Sequence, residues 1–415
     1  MKNSPAKRPV VFYFPYPSVG GVSVLFLRLA KLLCKQRRII LMDLENGYMA
    51  KHRPKNVEFI LYSEPEMLPE NSIVVFQSVP PWRIPFIAKF PKKATIFFWN
   101  LHPDNLRPDF IGIGSKFKGI NLLFYPFTAI RKRKLNKLIK LLLKNNAIRF
   151  MDKENLLSTA SFYNIDGDRL SYLQILTDDY LEENICDKKL RGSTLNFAWF
   201  GRVEGFKTPI LSHLIERLSR IRSMDIKLKV IGTGKDIKKI QKECKKYNNI
   251  QFQFVAEVPF DCIQETMDNI DILFAMGTCA LDGAKNKVPT LLVDFSYEKI
   301  KGLYKFKMIY EKQNYNMGEM INISHMEIES SLADLLDDII QNYGTYSERT
   351  YLYWKNNFSP DIVIPKFIYT VDSSTFQFKD LFKSNVQHPD IITVLKDKIH
   401  DKIKPGMQDD GWQYS

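Results

Sequence analysis

The sequence predicts two consecutive α/β domains, each a doubly wound and mostly parallel sheet, facing each other across a cleft. Three observations predict it. The chain has 415 residues, more than one core ordinarily organises and enough for two of common size. Short, continuously apolar segments alternate with stretches of helical periodicity, as strands covered on both faces require. The alternation that begins near residue 8 starts again after about residue 181.

In the first half, residues 8–16 (RPVVFYFPY) read as a buried strand, followed by a loop with Gly20 and Gly21. A helix over 23–34 carries Val24, Leu25, Leu27, Leu29, Leu32 and Leu33, so strand, glycine loop and helix open a βαβ unit. Residues 38–43 (RIILMD), 73–77 (IVVFQ) and 94–99 (ATIFFW) continue as strands. In the second half, strands are expected at 195–200 (LNFAWF), 226–231 (IKLKVI), 250–255, 270–275 and 290–293. Helices are expected at 208–220, 236–247, 261–267 and from about 280, with two more over 330–342 and 347–356. The expected boundaries are 1–178, 179–365 and a polar tail, 366–415, with a linker near 173–187. The tail holds one candidate basic amphipathic helix, 391–403.

Composition narrows the class. Apolar residues make up 45% and charged residues 26%, as in a globular protein. Five cysteines lie scattered with no CxxC pair, which argues for a reducing compartment and against a disulfide framework or a structural zinc site. The basic start is broken by Pro15, Pro17, Gly20 and Gly21, too soon for a signal peptide, and no apolar run approaches a membrane span. The expectation is a cytoplasmic protein. Lys and Arg outnumber Asp and Glu by 60 to 46, a formal charge of +14, which suggests an anionic partner.

The candidate site residues sit where strands end. Gly201 and Arg202 follow LNFAWF, and Lys207 opens the next helix. Ligands of an open parallel sheet collect at such carboxyl ends, and a guanidinium with an ammonium suits a diphosphate; two solvated surface charges are the plain alternative. Gly232 and Gly234, in IGTG after the next strand, either admit a ligand or simply make a turn. Gly277 and Thr278 would open a helix whose free N–H groups favour phosphate, although Thr278 equally reads as an ordinary cap. Asp282, one turn on, offers a carboxylate for ribose hydroxyls, or is a surface acid. In the first half, Gly20 and Gly21 follow the first strand. His102, beside Asn100 and Asp104, follows another, as a proton carrier, a hydrogen-bond donor or a structural histidine. No pair of histidines has metal-ligand spacing. Residues 131–144 (RKRKLNKLIKLLLK) carry seven cations and no acid, with an apolar stripe expected to pack on the sheet and leave the cationic face outward.

Over roughly residues 10–365 the chain resembles the large family of retaining glycosyltransferases that use nucleotide-diphosphate sugars and share the GT-B fold, two Rossmann-like domains, as in bacterial polysaccharide and lipopolysaccharide assembly. The resemblance rests on PYPSVGGVS (15–23), FAWFGRVEGFK (197–207), VIGTGKD (230–236) and MGTCALDGAKNKVPTLLVD (276–294). It implies an acceptor-side first domain and a donor-binding second domain. It also implies that Arg202 and Lys207 hold the donor diphosphate, that Asp282 stands where a ribose-binding glutamate is usual, and that Gly277 and Thr278 meet phosphate or sugar. His102 would lie near the reacting centre, and no metal or other cofactor is implied. The chain departs from the usual motif: its earlier acidic position and aromatic turn are replaced by MGTCALD.

The function expected is transfer of a hexose-like sugar from a nucleotide-diphosphate sugar to a glycan or lipid-linked acceptor. The alternatives are a nucleotide-sugar epimerase and a non-catalytic nucleotide-sugar-binding or assembly protein. Peripheral contact with an anionic membrane, on its inner face, is expected from the cationic stretch. Nucleic acid ranks last among partners, because the basic run lacks interleaved aromatics and no known binding motif is present.

Overall fold

The computed structural model describes residues 7–17, 20–107, 125–167, 170–177, 190, 194–256, 258–259, 262–302, 304–321 and 331–388. The tail stretch 391–403 and the expected linker from 178 onward lie outside them. The chain divides into one unit of Met1–Gln174 with Val363–Ser415 and a second of Ile175–Ile362.

The first unit is built on β1 (Val10–Tyr13), β2 (Ile39–Asp43), β3 (Glu58–Leu61), β4 (Ile73–Gln77), β5 (Thr95–Asn100) and β6 (Ile148–Phe150), in the order β3-β2-β1-β4-β5-β6 and parallel throughout. β1, β2, β4 and β5 are buried along their whole length, so both faces must be apolar and no alternation is seen. Helices α1 (Gly21–Leu33), α2 (Tyr48–His52), α3 (Tyr125–Lys144) and α4 (Lys153–Tyr163) belong to this unit. The stripe Leu135, Leu138, Ile139 and Leu142 of α3 is fully buried, while Lys132, Arg133, Lys137, Lys140 and Lys144 are exposed. Arg131 departs from the expected cationic face and is buried.

The second unit repeats the plan with β7 (Thr194–Phe200), β8 (Asp225–Ile231), β9 (Ile250–Val255), β10 (Ile272–Ala275), β11 (Thr290–Leu292) and the short edge strand β12 (Lys307–Met308). Its order, β9-β8-β7-β10-β11-β12, is that of the first sheet, with only β12 antiparallel. Helices α5 (Thr208–Leu218), α6 (Ile237–Cys244), α7 (Ile263–Asp268), α8 (Thr278–Lys285), α9 (Leu332–Gln341) and α10 (Tyr343–Phe358) accompany it. Each sheet therefore reverses its winding direction once, between β1 and β4 and between β7 and β10. A doubly wound fold leaves its ligand crevice at that reversal.

Two further helices, α11 (Pro360–Asp372) and α12 (Phe378–Ser384), carry the chain back to the first unit. Phe367 lies against Phe12 and Trp99, at centroid distances of 5.8 and 5.7 Å. Asp372 receives both outer nitrogens of Arg37, at 3.3 and 2.7 Å, and Phe378 stacks on Phe90 at 4.5 Å. No helix among the described residues is long and apolar enough to cross a membrane.

Candidate functional site

The sequence-predicted residues divide between the units. In the second unit they meet at the reversal point. β7 and β10 are neighbours, with Phe200 paired to Ala275, so their next residues, Gly201 and Met276, leave the sheet side by side. From Gly201 the chain passes Arg202 and a short 3-10 turn, Gly205–Lys207, into α5. From Met276 it passes Gly277, at φ 63° and ψ −141°, a conformation open to glycine and strained for other residues, into α8. A Cβ at Gly201 would stand 3.8 Å from Lys207 Nζ, so the ammonium folds back over the end of β7.

Lys207 is half-buried. Burial lowers its pKa from the usual lysine value, the Cys279 thiol on the first turn of α8 opposes that, and Arg202 adds to it. The ammonium thus lies within electrostatic reach of α8, where helix geometry leaves first-turn N–H groups without intrahelical acceptors. Gly277 spends its own N–H on the Met317 carbonyl (2.9 Å), so the donors this turn can offer begin at Thr278. Arg202 is different: its side chain is 52% exposed and its Nη1 sits 2.9 Å from Glu204 Oε1.

Gly232 and Gly234 are accounted for by backbone clearance. A Cβ on Gly232 would lie 2.1 Å from the Gly201 carbonyl oxygen, and one on Gly234 would lie 2.3 Å from that of Val203. Both have positive φ, 143° and 153°. The loop after β8 crosses the Gly201–Val203 backbone too closely for any side chain. Asp282 is buried, with its side chain 5% exposed, and its Oδ1 lies 3.8 Å from Nζ of the fully buried Lys285. It faces inward because every residue of α8 from Ala280 to Lys285 is buried.

Sequence reasoning passed over a set of groups beside this turn. At the end of β11 the buried Asp294 takes Nζ of Lys312 at 2.8 Å and the hydroxyl of Tyr304 at 2.9 Å, and its Oδ1 accepts from Glu319 N–H at 3.0 Å. Lys312 also donates to Glu319 Oε1 (2.8 Å), and Asn316 Nδ2 to Oε2 (3.0 Å). Burial raises the Asp294 carboxyl above its usual range and Lys312 opposes the rise. This cluster holds residues 316–319, and with them the Met317 carbonyl, against Gly277. Asp294, Tyr304, Lys312 and Glu319 are 7 to 25 positions apart, so no local sequence signal announces them.

In the first unit, Gly20 caps α1, with the Ser23 hydroxyl bridging its N–H and carbonyl at 3.0 Å each, while Gly21 faces open space. Asn100 ends β5 fully buried, its Nδ2 donating to Thr159 Oγ1 at 3.3 Å. His102, two residues on, is half-buried, and its Nδ1 accepts from Asp104 N–H at 3.1 Å. Burial lowers the His102 pKa, which favours the neutral ring, and Asp104 opposes this. With Nδ1 accepting, the ring proton belongs on Nε2. Of the roles open to His102, this arrangement equips it to donate a hydrogen bond. Among the described residues no group of three His, Cys, Asp or Glu is placed to hold a metal ion.

No family model matches the chain, and no curated protein is similar to it in sequence. Solved structures are similar in fold. A glycosyltransferase from Rickettsia africae ESF-5 aligns over 88% of this chain and 98% of its own, at 15% identity and a TM-score of 0.56. HepE from Anabaena, in complex with UDP and glucose, aligns over 88% and 100%, at 12% identity and a TM-score of 0.55. The fold is the GT-B-like double Rossmann fold.

A third structure of this fold corrects one expectation. An alpha-glucosyltransferase in complex with UDP-glucose and DNA containing an abasic site aligns over 88% of this chain and 100% of its own, at 11% identity and a TM-score of 0.51. Placing nucleic acid last among partners therefore does not stand. The physical reason is that phosphate contacts come from cations gathered by the fold, with no need for a contiguous basic-aromatic motif.

Proposed function

We propose that the chain is a glycosyltransferase that takes a sugar from a nucleotide-diphosphate donor held by its second unit and delivers it to a hydroxylated acceptor handled by its first. One observation carries the reading: Lys207 Nζ and the opening of α8 converge at the winding reversal of the second sheet. An ammonium and helix N–H groups at that point suit a diphosphate. The sequence resemblance to glycosyltransferases of polysaccharide and lipopolysaccharide assembly, and the UDP seen in HepE, support the same donor class.

In this reading Lys207, joined by Arg202, neutralises charge that develops on the departing nucleoside diphosphate as the bond from anomeric carbon to phosphate oxygen breaks. The acceptor oxygen bonds to the anomeric carbon on the same face, and its proton leaves with the nucleoside diphosphate, so configuration is retained. His102 donates from Nε2 to a hydroxyl of the acceptor. Asp282 serves the donor indirectly, as a buried group inside α8. The exposed cations of α3 dock the protein on anionic surfaces that present the acceptor, each contributing about 1 kcal/mol near such a surface.

The test is a mass-resolved screen of nucleotide sugars against glycan, lipid-linked and nucleic-acid acceptors, the lipids presented in anionic and in neutral vesicles. Transfer or slow donor hydrolysis is expected with one donor class, with faster lipid-linked transfer in anionic vesicles and a decline as salt rises. Free epimer formed without acceptor would replace the reading with an epimerase. Binding without turnover on every acceptor would leave only a nucleotide-sugar-binding protein. For His102, substitution by Phe should lower transfer about tenfold or more while nucleoside diphosphate affinity stays unchanged. Full activity of the folded variant removes that residue from the site.

A further inference from the structure

We infer that Asp236 is a positioning residue for the diphosphate grip, fixing the turn that carries Lys207; the inference rests on the donor reading proposed above. Asp236 occupies the N-cap of α6, where an aspartate ordinarily accepts from the N–H groups of its own helix. It makes no such side-chain bond. Its Oδ2 instead reaches away from α6 to two donors that bracket Lys207: the Gly205 N–H at 3.1 Å and the Thr208 hydroxyl at 2.8 Å. A carboxylate is suited to this, being an acceptor only, with lone pairs enough for both.

The backbone around it makes the same connection. Gly201 N–H donates to the Ile231 carbonyl (3.0 Å), Val203 N–H to that of Thr233 (2.8 Å), and Asp236 N–H to that of Val203 (3.1 Å). The clearance required of Gly232 and Gly234 follows from this crossing, so the segment 232–236 closes against the Lys207 loop along its length. The loop needs such support. It contains Gly201 and Gly205, which add conformational freedom, and it ends in a four-carbon side chain whose charge must be aimed. On the far side Ser296 N–H donates to the Phe206 carbonyl at 3.1 Å, and the Phe206 ring packs on Phe295 at 5.2 Å. Asp236 and Ser296 thus grip the turn from the β8 and β11 sides of β7 and β10. Through these contacts the GTGKD stretch acts on a donor by way of Lys207.

The test is a double-mutant cycle read by UDP affinity and by melting temperature. Asp236→Ala should weaken UDP binding about tenfold when Lys207 is present and less than about twofold in a Lys207→Met background, because the two act as one element. Asp236→Asn keeps a side-chain oxygen acceptor and should restore most of the affinity. Thr208→Val removes one donor and leaves the carboxylate, so a smaller loss is expected that also vanishes with Lys207→Met; it serves if Asp236→Ala fails to fold. Equal losses in both backgrounds, or no loss with Lys207 present, overturn the positioning role while the donor reading survives. Unchanged UDP affinity on Lys207→Met alone overturns the donor reading, and this inference with it.

Discussion

Replacing Lys207 with Ala is expected to weaken nucleoside diphosphate binding about a hundredfold and to lower turnover about a thousandfold. The first figure is that of a hydrogen bond to a charged partner in a half-buried site, and the second adds the charge that appears only as the donor bond breaks. Arg202→Ala should cost less, about tenfold in binding. Its guanidinium is half exposed and already engaged by Glu204, and an exposed ion pair of that kind is worth about 0–1 kcal/mol. The same lysine sets an alkaline limit. Burial lowers its free-state pKa below the usual value, and a bound diphosphate raises it. Affinity is then full below the free-state value, falls as pH rises through it, and levels off beyond the bound-state value. Lys207→Arg should abolish that limb, since a guanidinium keeps its proton. Calorimetric titration of the variants against UDP, at several pH values, checks both effects. Equal affinity in wild type and Lys207→Ala would remove the lysine from the site.

Lys312→Met is expected to lower stability by about 3–5 kcal/mol, the cost of leaving a buried carboxylate without its cation. Asp294 would keep the Tyr304 hydroxyl and the Glu319 N–H but lose the charge 2.8 Å away, and its pKa, already raised by burial, would rise further. Because this cluster holds Met317 against Gly277, UDP affinity should fall with it. Removing the negative partner as well, in Lys312→Met with Asp294→Asn, leaves no uncompensated charge and should recover much of the stability. Melting temperatures of the single and double variants decide this. A double variant less stable than Lys312→Met would show that the network's hydrogen bonds outweigh its charge balance.

What was legible in the sequence follows from burial. Strands β1, β2, β4 and β5, and β7, β8, β10 and β11 of the second sheet, lie inside their sheets, so most of them are nearly continuous apolar runs. β3, β6 and β12 are not legible: they are edge strands of four, three and two residues, and β3 is no more than half-buried. α11 escaped because Pro365 interrupts its pattern, a residue that ordinarily ends a helix. Gly201 and Gly277 are legible because they follow recognisable strands closely, and Lys207 because it opens the helix after one of them. The two glycines of GTG look equally like a ligand loop and a turn, and the sequence does not show the 2.1 and 2.3 Å clearances that require glycine at both positions. The burial of Asp282 is not legible, because spacing along a helix does not say which face neighbouring chain covers. Asp236 was visible as a letter in a motif, but its bonds to Gly205 and Thr208, about 30 residues earlier, were not.

The most direct test of the central claim is a crystal structure of the protein with bound UDP. The predicted result is a diphosphate at the reversal point of the second sheet, with an oxygen in hydrogen-bonding distance of Lys207 Nζ and of the N–H of Thr278. A diphosphate bound elsewhere on the chain, or none at saturating UDP with Lys207 and the α8 turn unaltered, would contradict it.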